Sequence, residues 1–137
     1  MIEIVNGFEI LGKVTKDALM MQKVAHLIGD DTMSLFIIEL SKNQKLPAHY
    51  HKAGIEMYFI LSGEASIETA LFKEEANAFE NITTQILKSG DAFTIYPLVI
   101  HQLVNKETGM LKLLAVASKS HNNEDRYFVD LGKKVVA

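Results

Sequence analysis

Apolar and polar residues alternate or cluster in short bursts along this chain. No long stretch keeps the 3.6-residue period of an amphipathic helix. The most continuous burst lies in residues 32–40, where Leu35, Phe36, Ile37 and Ile38 stand in a row. Such a run predicts a strand covered on both faces. Shorter bursts at 22–28, 46–51, 56–61, 64–72, 82–87, 92–96, 100–104 and 110–118 are separated by Gly, Asn, Asp and Ser. Each reads as a strand bounded by turn residues. Alternation puts Glu56, Tyr58 and Ile60 on one face of their strand, and Ala65, Ile67, Thr69 and Leu71 on one face of the next. Residues 73–81, with three acidic side chains and an exposed-looking Phe79, read as the tip of a long hairpin. The ends are less regular. Residues 2–11 suit a strand or an irregular arm, 13–21 a short turn or helix, and 126–131 a short final strand or arm. Residues 133–137 are expected to fray. Many short strands without a long helix predict an all-β fold.

Within this pattern, one stretch carries chemistry. His49 and His51 are two residues apart, so on a strand both imidazoles face the same way. Gly54 lets the chain turn, and Glu56 opens the next apolar run. Two imidazoles and a carboxylate on adjacent strands outline an N/O metal site that lacks a further ligand. Downstream, Gly90-Asp91 begins a second such stretch, with the apolar run 92–96, Pro97, His101 and Asn105.

These two stretches resemble the paired motifs of the cupin family. The first motif is a Gly, His-x-His, a Glu and, after six residues, a Gly; His49, His51, Glu56 and Gly63 match it. The Gly expected six residues before the first His falls at Asn43. In the second motif Gly90, Asp91, His101 and Asn105 match, Pro97 sits one residue late, and Leu98 stands where the family has Gly. The resemblance implies a cupin-like double-stranded jelly-roll β-barrel, formed by one domain over 1–137, with motif 1 at about 43–63 and motif 2 at about 90–105. It also implies one divalent transition metal (Fe, Mn, Ni, Co or Zn) held by His49, His51, Glu56 and His101. Asn105 is expected to order its local turn rather than bind metal. Small single-barrel relatives commonly pair. A homodimer is therefore expected, with 2–10 and 127–131 adding strands to a partner's sheet edge.

Four protein ligands on an octahedral ion leave about two positions open for water or for a small substrate chelating through two oxygens. The expected function is a metal-dependent small-molecule enzyme, an oxidoreductase of dioxygenase type. The alternatives are a sugar or sugar-phosphate isomerase or epimerase, a lyase, and a non-catalytic metal- or small-molecule-binding domain. Tyr58, on the same face as Glu56, is the candidate catalytic side chain, as a hydrogen-bond donor or an acid. Phe36, Ile38, Phe93, Ile95 and Leu103 are candidate lining residues. The expected core includes Phe36, Ile38, Phe59, Phe93 and Leu113. His26 and His121 are expected to stand apart from the site, His121 in solvent.

Composition narrows the partners. The 137 residues carry a formal net charge of -3 and show no basic surface, so neither nucleic acid nor an anionic membrane is an expected partner. No apolar run reaches membrane-spanning length, and the first residues do not read as a secretion signal; a cytoplasmic protein is expected. The absence of cysteine leaves imidazole and carboxylate as the ligands for a transition metal. A single arginine, Arg126, makes a strongly anionic sugar phosphate a poor candidate substrate.

Overall fold

A computed structural model describes residues 1–16, 22–106 and 109–132. Among these residues ten strands form two antiparallel five-stranded sheets. They are β1 (Lys23–Gly29), β2 (Ser34–Leu40), β3 (His49–Tyr50), β4 (Glu56–Ser62), β5 (Glu64–Lys73), β6 (Ala78–Lys88), β7 (Ala92–Ile95), β8 (Val99–Val104), β9 (Leu111–Ala117) and β10 (Tyr127–Phe128). The first sheet has the order β1-β2-β9-β4-β7, the second β10-β3-β8-β5-β6. Among the described residues no strand belongs to both sheets, so the jelly roll is a sandwich of facing sheets rather than a barrel closed by hydrogen bonds.

Alternation along the strands builds the core. Phe36, Ile38 and Leu40 of β2, Ile60 of β4 and Leu113 of β9 face Ala65 and Ile67 of β5 and Leu103 of β8. Phe93 is half-buried against them. Phe59, expected in this core, is 43% exposed on the outer face. Its neighbours Tyr58 and Ile60 point inward, and a strand cannot turn three consecutive side chains the same way.

The unbroken run on β2 has a local cause. Ile37 points outward, where Leu11 of a short helix, α1 (Gly7–Leu11), packs against it and Ala25. The strand considered for 2–11 is thus replaced by this helix. Asn6 caps it, its side-chain oxygen accepting from the Phe8 and Glu9 amides at 3.1 and 3.0 Å. Five residues are too few to show a helical period, and a helical 7–10 cannot add a strand to a partner. The turn or helix considered for 13–21 lies largely outside the described residues, as do 133–137.

The hairpin β5–β6 reverses at a one-turn 3₁₀ segment, Glu74–Ala76, followed by Asn77 in the left-handed region. Phe79 is already in β6 and packs beside Ala70 and Tyr50 in a second cluster on the outer side. Tyr127 and Phe128 pair with Tyr50 and His49, so the final segment joins the second sheet at its β3 edge.

At Gly63, φ is +96°, and an added Cβ would lie 2.9 Å from the Met110 carbonyl oxygen. At Gly90, φ is +93°, but nothing lies within 4 Å of such a Cβ. Both alanine substitutions are strained at the backbone, and only the first also meets backbone atoms. Gly63→Ala should lower unfolding stability by more than about 1 kcal/mol, and by more than Gly90→Ala does. Urea titration of both variants checks this; equal losses would contradict it.

Candidate metal centre

The pairing of β3 with β8 sets His49 directly opposite His101, and their ring centroids are 4.2 Å apart. His51 follows β3 on the same face. Glu56 opens β4 in the other sheet, reached through a loop in which Gly54 has φ +79°. The site therefore lies between the sheets, with ligand candidates from both. His49, His51, Glu56 and His101 are all buried.

Two departures from the family's motifs are absorbed by the backbone. Asn43, in place of the expected Gly, has φ +61°, and Leu98, in place of the second, has φ +69°. Asparagine tolerates this region better than most residues, leucine poorly. The turn before His101 is kept nonetheless. The Val99 amide donates to the Tyr96 carbonyl at 3.2 Å, and the Leu98 amide to the His51 carbonyl at 2.8 Å. Asn105 is fully buried, its amide nitrogen donating to the Leu40 and Gly109 carbonyls at 3.0 and 2.9 Å.

Backbone carbonyls set the tautomers of three imidazoles. Nδ1 of His49 meets the Pro47 carbonyl at 2.9 Å, Nδ1 of His101 meets the Val99 carbonyl at 3.0 Å, and Nδ1 of His51 meets the Asp125 carbonyl. A carbonyl only accepts, so each Nδ1 carries the proton. In the neutral ring that leaves Nε2 as a free lone pair. Nε2 of His51 and Nε2 of His101 lie 3.1 and 3.3 Å from Glu56 Oε1, yet neither makes an aligned hydrogen bond. The candidate ligand atoms of His49, His51 and His101 lie within 4.8 Å of one another. Buried, unpartnered nitrogens beside a carboxylate are the donor set of a divalent first-row metal. The residues present fit such an ion.

Contrary to the sequence reading, His121 is not in solvent: it is only 2% exposed and belongs to this cluster. It sits on a second 3₁₀ turn, Lys119–Asn122. Its Nε2 donates to the Ala53 carbonyl at 2.6 Å, and its Nδ1 lies 3.2 Å from Glu56 Oε2. Its ring stacks on that of His51, with centroids 4.0 Å apart and planes 4° from parallel. Nothing in the local sequence announces this. The polar run 119–124 looks solvated, and only the fold carries it back over the site. His26 stays apart, on β1, with Nε2 3.0 Å from the Ser34 hydroxyl. The Tyr58 hydroxyl donates to Glu56 Oε1 at 2.9 Å.

These contacts shift the protonation equilibria. Burial, reinforced by His101, depresses the His49 imidazole to about 2. Burial raises the Glu56 carboxyl, and the group is pulled well below its ordinary range only insofar as His101, His121 and His51 turn an N–H toward it. Burial, then the Glu56 charge, pushes the Tyr58 phenol well above its usual value. Burial pulls His121 down, and its contacts with Glu56 and Ala53 more than reverse this.

A cavity of about 20 Å³ adjoins the cluster, and Gln22, Phe36, Tyr58 and Arg126 are among its lining residues. Of the other candidate lining residues, Ile38 reaches the cavity, whereas Phe93, Ile95 and Leu103 belong to the packed core.

Comparisons with known proteins agree with this fold. The cupin domain model matches residues 36–117, more than half of the chain. The chain belongs to the cupin family. It is similar to an uncharacterized conserved protein with a double-stranded β-helix domain from Klebsiella pneumoniae. That match has 16% identity and a TM-score of 0.67, and covers 95% of this chain and 99% of the other. It is similar to an oxalate oxidase at 16% identity and TM-score 0.65, covering 88% of this chain and 61% of that one. A third match is the capsular polysaccharide assembling protein CapF from Staphylococcus aureus, at 14% identity and TM-score 0.67, covering 80% and 30%. At these identities the likeness is one of fold. No curated protein matches the sequence.

Without metal, the unfolded His49 ring takes up a proton near 6.5, whereas the folded one resists down to about 2. Between these values the unfolded state binds more protons, so stability is full above about 6.5 and falls with pH below it. One such group contributes a slope of at most about 1.4 kcal/mol per pH unit. The urea midpoint of the metal-free protein should therefore drop between pH 7 and 5, and His49→Asn should flatten that slope. His121, with its raised pKa, adds a slope of opposite sign, so the deciding comparison is with the variant: an equal slope in His49→Asn would contradict the burial of a neutral His49.

Proposed function

We propose that this protein is a metal-dependent enzyme acting on a small chelating molecule, with one divalent ion held by His49, His51, Glu56 and His101. The observation that carries the reading is the pair of buried Nε2 atoms of His51 and His101, their tautomers fixed by the Asp125 and Val99 carbonyls, facing Glu56 Oε1 without an aligned hydrogen bond, with the His49 ligand atom within 4.8 Å of theirs. When bound, a divalent ion with open positions supplies Lewis acidity and, if redox-active, access to dioxygen chemistry. Oxidation of dioxygenase type is the reading favoured here over sugar-phosphate isomerisation. A single arginine suits a strongly anionic sugar phosphate poorly.

The chain's own residues divide the remaining work. Tyr58 donates to Glu56 Oε1, and with its phenol raised it serves as a fixed donor rather than an acid. With Nε2–H given to the Ala53 carbonyl, His121 supports the other oxygen of Glu56 as an imidazolium, its Nδ1 3.2 Å from Oε2. Its ring is parallel to that of His51 and stacked on it, so one ion cannot lie in the plane of both rings, as in-plane lone pairs require. His121 is accordingly a positioning residue that leaves Oε1 as the oxygen turned to His51 and His101.

The test is metal binding by the purified protein, followed by oxygen uptake with the iron- and manganese-loaded forms. The parent should bind one Mn(II) or Fe(II) per chain at neutral pH. His101→Ala should lose that binding while remaining folded, and His26→Ala should retain it. His121→Ala, which the sequence alone would make a second control, should instead weaken metal affinity about 10- to 100-fold, the usual effect of losing a group that orients a ligand. His121→Gln, which keeps a donor, should recover part of it. A folded His101→Ala that binds metal as tightly as the parent would contradict the ligand set. An unchanged affinity in His121→Ala would contradict the support role.

A further inference from the structure

A second cleft lies outside the sandwich, behind the strand that carries His49. Alternation along the chain turns His49 and His51 inward and Tyr50 outward, into the second apolar cluster. A cleft of about 240 Å³ opens beside it, lined by the rings of Tyr50, Phe72, Phe79 and Phe128 and by the polar side chains of Asn77 and Asp130. Sites for drug-sized ligands occupy about 300–1,000 Å³, so this one suits a molecule of few heavy atoms. Tyr50 stacks on Phe72, with centroids 4.5 Å apart, and on Tyr127, at 5.2 Å. It is buried, and the rings left for a guest are Phe72, Phe79 and Phe128. Ring faces attract cations, and the chain's own cations seek these rings at the rim. Lys52 Nζ lies 4.4 Å from the Tyr127 centroid and Arg126 Cζ 5.3 Å from that of Phe128. Yet no basic side chain is among the described residues lining the cleft, and its one charged side chain is Asp130. Asp130 Oδ1 accepts from the Gly132 amide at 2.9 Å, which leaves the carboxylate's charge uncompensated. This lining selects by charge. An anion meets a carboxylate and ring faces of its own sign. A neutral apolar guest takes water from Asp130 and returns no charge or donor. A primary ammonium brings three N–H donors to walls that are mostly ring carbon. A methylated ammonium needs no acceptor and lays its methyl groups on the rings.

We propose that this outer cleft binds a small quaternary ammonium compound, its methyl groups against Phe72, Phe79 and Phe128 and its charge beside Asp130. The site stands apart from the metal centre and does not rest on the metal-site reading. Recognition by ring faces and one carboxylate requires the charge as well as the shape. A guest of the same shape with carbon in place of the nitrogen keeps the apolar contacts and loses both attractions.

The experiment is amide NMR titration of the full chain with choline and with the neutral alcohol in which a tert-butyl group replaces the trimethylammonium. Choline should shift the amides of Asn77 and Asp130 and bind at least about fivefold more tightly than the alcohol, as a ring-bound cation does. Asp130→Asn, at an exposed position, should weaken choline about two- to fivefold, the usual effect of losing an exposed ion pair, and leave the alcohol unchanged. Phe79→Leu, which keeps an apolar side chain and removes a ring, should weaken choline by a similar factor and the alcohol less. Ethanolamine should bind more weakly than choline. Equal affinity of the parent for choline and the alcohol would make the cleft a plain apolar one and overturn the inference. No choline-dependent shift at millimolar concentration would overturn it too, whether the cleft stands open or a second copy covers it. An undiminished preference for choline in folded Asp130→Asn and Phe79→Leu, or tighter binding of ethanolamine, would also contradict it.

Discussion

The structure depends on one buried charge. Glu56 is 6% exposed, between two sheets of largely apolar side chains. A carboxylate in such a place is strongly unfavourable unless donors or cations surround it. Here Tyr58 reaches it at 2.9 Å, and the imidazoles of His51, His101 and His121 lie 3.1 to 3.3 Å away. They come from both sheets and from the segment after β9, so satisfying one carboxylate requires the tertiary fold. Facing lone pairs of neutral His51 and His101 do not by themselves solve the problem; a divalent ion among them would.

The segment after β9 is the less obvious half of the arrangement. Asp125 accepts from the Lys52 and Ala53 amides through its carboxylate at 2.7 and 3.0 Å, and its own carbonyl fixes the His51 tautomer. Ser118 anchors the same segment to the Asp31 carbonyl at 3.0 Å, and β10 pairs with β3 at its far end. A strap tied down on both sides thus closes over the loop that carries the first motif. It places His121 on Glu56 and Arg126 on the cavity. Changes in this strap should be felt at the ligands although none of its residues belongs to either motif.

Much of this was legible in the sequence. Period-two patterning located the strands because each sheet buries one face, and His49, His51 and Glu56 declared themselves by spacing that only a strand and a turn make meaningful. The misses share a cause. His121, α1 and the outward-facing Phe59 are each decided by what packs against a segment from elsewhere in the chain. A polar 3₁₀ turn has no period that could reveal the burial of His121, and Phe59 is as apolar as its inward neighbours. Asn43 and Leu98 are the converse case. Both break the motif's glycine pattern, yet the backbone adopts the left-handed conformation regardless, because hydrogen bonds on either side over-determine it.

The central claim is that the imidazoles of His49, His51 and His101 and the carboxylate of Glu56 hold one ion, with His121 outside its ligand set. Anomalous diffraction from crystals of the Mn(II)-loaded protein tests it most directly. The account predicts a single peak within about 2.0–2.3 Å of Nε2 of those three histidines and of one Glu56 oxygen, as metal–ligand distances require, with Nδ1 of His121 beyond bonding distance. A peak ligated by His121, or no peak between the sheets, would contradict it.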